Sequence, residues 1–219
     1  MIIHIWLLLI ALPLLWIPRQ WLRYGGKVVT LPERAKAEKD IRDANDVSLQ
    51  LKSEILKPRN WVDFLRAAAG GIAVYAVCFE VGQGAAKGTG TIIYSIQFAV
   101  LLIAVLLQTI RIEQRMTLVA PVFFILGFSF GLIGWKAALF ACVTIWVLNL
   151  LLPSAGMFLF VFAFVEAIFF RLVGEKFSMK TAILTIVLTT FPLLFSAVTN
   201  RRLVRLNKKN RTRSSKTAT

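Results

Sequence analysis

Seven stretches of the chain are apolar over a length close to that of a membrane span: residues 2–17, 61–81, 92–110, 117–134, 137–152, 156–170 and 181–199. A helix that crosses hydrocarbon needs about 20 mostly apolar residues, because its backbone must satisfy all of its own hydrogen bonds there. The pattern predicts an all-α polytopic helical membrane bundle of about seven transmembrane helices. The count is six if the first stretch, which is short and contains Pro13, does not span. That stretch has no Lys or Arg ahead of it and no small-residue cleavage site after it, so it reads as a retained anchor and not as a signal peptide. Trp6 stands near one of its ends and Trp16, Arg19, Trp21 and Arg23 near the other, as at two interfaces.

The polar stretches divide the chain into an anchor at 1–17, a cytoplasmic loop at 18–60, a six-helix membrane bundle at 61–199 and a basic tail at 200–219. Thr30-Leu31-Pro32-Glu33 has the form of a capping box with a first-turn proline, so a helix is expected to follow it. Its first half carries opposite charges four apart, such as Glu38 with Arg42. The second half aligns Ala44, Val47, Leu51 and Ile55 in an apolar stripe, so residues 44–56 are a candidate surface for the membrane, the bundle or a protein partner.

Composition agrees with this organisation: 58% of the 219 residues are hydrophobic and the mean hydropathy is +0.72. The net charge of +15 changes the picture only through its placement. Ten basic residues fall in 18–60, two follow the third stretch and eight lie in the tail, which puts twenty on one side of the membrane. Five fall on the other side, and Arg66 lies inside the second stretch. Retention of Lys and Arg on the cytoplasmic face therefore orients the N-terminus outside and the C-terminus inside, in a plasma (inner) membrane. Arg201, Arg202, Arg205, Lys208 and Lys209 are candidate contacts for anionic lipid headgroups, in a tail expected to be disordered. Nucleic acid is disfavoured as a partner, since no stacking aromatic follows Phe195.

Chemical motifs are mostly missing. His4 is the single histidine, Cys78 and Cys142 stand apart, and no cofactor or metal is implied. The carboxylates Asp40, Asp43 and Asp46 make one loose cluster where diphosphate chemistry on two metal ions needs two. The glycine-rich segment 82–90 places Lys87 before Gly88, the wrong order for a phosphate loop, and reads as a turn. Gly127 and Gly131 form a G-x-x-x-G pair, and Gly70 and Gly71 follow three alanines, so both are helix-packing surfaces.

Charges at membrane depth are costly, which makes Glu166 in the sixth stretch the leading candidate for an ion or proton site, with Asn149 and Gln97 as neutral partners. The competing reading has Glu166 reaching the interface or pairing locally, with Arg171 the nearest basic residue. Asp63 and Arg66 are spaced to pair with each other. Two functions remain open, with an enzyme the less favoured class. One is a non-enzymatic assembly or scaffold subunit. The other is a small secondary transporter or channel that uses Glu166, hinged at Pro192.

Overall fold

The structure, a computed structural model, describes residues 2–18, 21, 55–82, 84, 86–112, 116–152, 154–173, 179–201 and 203–204. The expected loop helix and most of its apolar stripe lie outside the described residues, as do Arg202, Arg205, Lys208 and Lys209.

The described residues are mostly helical. The helices are α1 (Ile5–Trp16), α2 (Pro58–Ile72), α3 (Thr89–Thr109), α4 (Val122–Leu132), α5 (Trp135–Leu148), α6 (Ala155–Val173) and α7 (Met179–Val198). A π-helical turn, Ala73–Val77, extends α2, and a 3₁₀ turn, Asn149–Leu151, extends α5. Three of the helices, α3, α6 and α7, are long and apolar enough to cross a membrane. Exposed Trp6, Phe160, Phe164 and Val198 show how much apolar surface faces outward, as expected of a chain solvated by lipid.

Two small sheets correct the purely helical expectation. Strand β1 (Ile2–Ile3) pairs antiparallel with β2 (Phe79–Glu80), Ile2 opposite Glu80, and His4 N donates to Cys78 O at 3.0 Å. The start of α1 is thereby fastened beside the far end of α2. Strands β3 (Ile110–Ile112) and β4 (Met116–Val119) form a hairpin, and β5 (Leu203–Val204) joins β4 in parallel. The start of the tail is therefore ordered rather than disordered: the chain turns back at Asn200, whose φ is 51°, and Leu203 packs on the core around Ala120 and Phe158.

The hairpin also revises the apolar stretch at 117–134. Its first residues are β4, Pro121 follows without an N–H to offer a sheet or a helix interior, and the helix starts only at Val122. Helix α4 thus has eleven residues and rises about 16 Å, roughly half the hydrocarbon thickness. Ten of the eleven are buried, from Val122 to Leu132 with only Phe130 partly open. A helix apolar on every face belongs inside other helices, and α4 touches α2, α3, α5, α6 and α7.

Helix α2 lies closest, because neither helix carries bulk at the crossing. A Cβ built on Gly127 stands 2.2 Å from Phe64 O, and one on Gly131 stands 3.0 Å from Ile72 N. A Cβ on Gly71 would stand 3.1 Å from the Phe128 ring, and one on Gly70, on another face of α2, would stand 2.5 Å from the Leu15 side chain of α1. The small residues of α2 thereby seat α4 and α1 together. Gly127→Ala is expected to lower stability in detergent by about 1–3 kcal/mol, because the obstructing atom is backbone. Gly90→Ala, with nothing within 4 Å of its Cβ, is expected to be neutral or slightly stabilising in the same thermal unfolding assay.

Candidate functional site

Polar groups inside the bundle gather at three junctions, and each arises from a local backbone problem. The first lies where α1 ends. A helix C-terminus leaves carbonyls without intrahelical donors, and here that end is buried against α2 and α3. Gln108 Nε2 of α3 donates to Leu15 O at 3.1 Å and Ile17 O at 2.9 Å, and Arg66 Nη1 also donates to Ile17 O. Arg66 Nη2 donates to Gln108 Oε1 at 2.7 Å and lies 2.9 Å from Asp63 Oδ1. The guanidinium covers the Phe124 ring at 5.1 Å, which attracts it through the electron-rich face. A buried cation is thus met by a carboxylate, by an amide oxygen and by the negative end of a helix dipole.

The second junction lies where α2 loosens. The π turn carries Cys78 N back to Ala73 O at 2.8 Å, and the chain then becomes β2, so carbonyls at the end of α2 lose their successors. Gln97 Nε2 donates to Val74 O at 3.1 Å and Tyr75 O at 2.9 Å. Gln97 and Gln108 are eleven residues apart on α3, three turns to within about 20°, so one face of α3 caps both helix ends. Nearby, the Tyr75 and Thr181 hydroxyls are hydrogen-bonded, and Tyr94 Oη donates to Lys180 O at 2.9 Å, tying α2 and α3 to α7.

The third junction holds Glu166. Leu159, Phe162, Ala163, Glu166 and Phe170 follow helical spacing on the buried face of α6, and Glu166 is 1% exposed. Its Oε1 is hydrogen-bonded to Ser129 Oγ of α4, and Thr189 Oγ1 of α7 donates to its Oε2 at 2.8 Å. Ser129 and Thr189 are each 1% exposed, and Ser129 Oγ also lies 3.1 Å from Ile125 O. Pro192 lies one turn beyond Thr189 and offers no N–H to Leu188 O.

The carboxyl therefore does not reach an interface. Arg171, five residues further along α6, is turned about 140° away and lines an exposed apolar groove with Phe164, Ala167, Ile168 and Leu172. Glu166 and Gln97 belong to separate hydrogen-bond sets, and Asn149 is buried in the 3₁₀ turn that follows α5. Of the two partners that matter to Glu166, Thr189 is legible in the sequence as a polar group before Pro192, and Ser129 carries no signal of its own. Ser129 falls inside the glycine pair that brings α4 into the core, and Thr189 is spaced like Thr181 and Thr185 on the buried face of α7. Arg201 is exposed at the turn into β5. Among the described residues no group of three or more His, Cys, Asp or Glu is placed to hold a metal ion.

Arg66→Met is expected to cost about 3–5 kcal/mol, since it removes the guanidinium from buried Asp63 and a donor from Ile17 O. Arg66→Met combined with Asp63→Leu is expected to recover a large part of that loss, and thermal unfolding of the single and double variants in detergent tests the coupling. Compared with known protein families, curated proteins and solved structures, the chain matches none.

Proposed function

We propose that this chain is a multi-pass integral membrane protein of the plasma (inner) membrane that acts as a non-enzymatic assembly or scaffold subunit. Its seven described helices, with the eleven-residue α4 enclosed by the others, hold a cytoplasmic loop and a basic tail in place. The observation that carries this reading is that Arg66, Gln97, Gln108 and Glu166 all bond to neighbouring helices and are at least nine-tenths buried. Intramembrane polar groups of a transporter serve a cargo and face a water path; these four serve joints between helices.

Other features support the same reading. The β1–β2 pairing keeps the start of α1 with the end of α2, so α1 and α2 run oppositely, as consecutive spans of a polytopic chain do. The surfaces left for partners are then the loop at 18–60, with residues 44–56 as the docking stripe, and the tail. Arg201, Arg202 and Arg205 lie next to the last helix, where each basic residue contributes about 1 kcal/mol of attraction to an anionic leaflet.

Three measurements test the proposal. Proteoliposomes containing the purified protein should dissipate proton, sodium and potassium gradients no faster than empty vesicles. Flux above that background that disappears in Glu166→Gln would replace the scaffold with a transporter. Deletion of 44–56 should leave the thermal stability of the bundle unchanged and abolish co-purification of native partners at endogenous expression. Single cysteines introduced at positions 2 and 210 of a variant lacking Cys78 and Cys142 should be labelled from opposite sides of the membrane, position 210 from the cytoplasm.

A further inference from the structure

We propose that Glu166 is a proton-binding site: a neutral carboxylic acid whose own O–H donates to Ser129 and closes a hydrogen-bond chain across α4, α6 and α7. The argument is a count of hydrogens. Three oxygen–oxygen contacts meet here, between Thr189 and Glu166, between Glu166 and Ser129, and between Ser129 and Ile125 O. An ionised Glu166 accepts only, so the two hydroxyls supply two hydrogens for three contacts. A protonated Glu166 supplies the third. The chain then runs in one direction: Thr189 donates to Oε2, the acid O–H on Oε1 donates to Ser129 Oγ, and Ser129 donates to Ile125 O.

Among the described residues, the elements around Glu166 hold no charge that would replace the proton. Helix α4 has no titratable residue between Val122 and Leu132. On α7 the titratable side chain is Lys180, nine residues or about 14 Å along the helix from Thr189. Helix α5 contributes Lys136 near its start, and Cys142. On α6 itself Arg171 faces the exposed groove. Tyr94 of α3 is engaged with Lys180 O. Behind α4, Arg66 of α2 is engaged by Asp63, Gln108 and Phe124. Arg201 stands at the exposed turn before β5. Among the described residues, Ser129 and Thr189 are thus the partners of Glu166, and burial of a carboxylate with two neutral donors and no cation is costly. The neutral acid removes that cost and uses every contact.

The group can be read directly. Infrared difference spectra of the purified protein in detergent at neutral pH, wild type minus Glu166→Gln, should contain the C=O stretch of a protonated carboxyl and no carboxylate bands. The Glu166→Gln variant is designed to fold, because the new amide N–H donates to Ser129 and the amide oxygen accepts from Thr189. Ser129→Ala should shift the carboxyl band to higher frequency by removing its acceptor, which a merely buried acid elsewhere would not do. Carboxylate bands at neutral pH, or a carboxyl band abolished by adding sodium, would overturn the assignment. The spectrum reads the resting bundle, so it stands or falls independently of whether reconstituted vesicles show flux.

Discussion

Two helices of this bundle, α1 and α2, end against their neighbours, and the carbonyl oxygens at their ends, without intrahelical donors, take side-chain donors from other helices. An unsatisfied carbonyl in an apolar interior costs about 1–3 kcal/mol, and several would exceed what the packing of a short helix returns. Helix α3 answers the need with two glutamines on one face, Gln108 at the end of α1 and Gln97 at the end of α2. Arg66 is admitted to the interior by the same circumstance, since the end of α1 offers a partial negative charge beside Asp63. The depth of α1, the π turn of α2 and the register of α3 are coupled through these few bonds.

Helix α4 depends on that frame and completes it. At eleven residues it is too short to span alone, and its burial on almost every side gives it no lipid-facing stripe. Its approach to α2 is permitted by Gly127, where the Phe64 carbonyl leaves no room for a methyl group, and by Gly131, where main-chain atoms would crowd one. Once placed, α4 carries Ser129 to Glu166 and Phe124 to Arg66, so the close crossing brings both ionisable junctions together. The hairpin of β3 and β4 occupies the chain between α3 and the late start of α4, and β5 adds the start of the tail to the edge of β4.

Particular residues show how much of this was legible. The apolar stretches at 92–110, 156–170 and 181–199 are present as α3, α6 and α7, since long uninterrupted hydrophobicity has one stable outcome in lipid. The stretch at 117–134 misled because hydropathy does not distinguish a strand from a helix, although Pro121 marks the break. Glu166 stood out by its cost and Thr189 as a polar group before Pro192, whereas Ser129 did not, because a hydroxyl among apolar residues is common and satisfies itself on the preceding turn. Gln97 was noticed as a polar residue and grouped with Glu166; its actual neighbours are the carbonyls of Val74 and Tyr75, which only the π turn exposes.

By itself the sequence determined the solvent of this protein: the hydrophobic excess, and the gathering of 20 of the 26 basic residues in 18–60, 111–115 and 200–219, follow from composition and order along the chain. Short-range patterns also named the residues with unusual energetics, the buried charges and the paired glycines. The tertiary structure alone decided which groups meet. Hydrogen-bond partners here lie far apart in the chain, Gln108 93 residues from Leu15 and Thr189 23 residues from Glu166. Helix depth, helix termination and crossing angle set which of them come together, and each of these is a property of several helices packed at once.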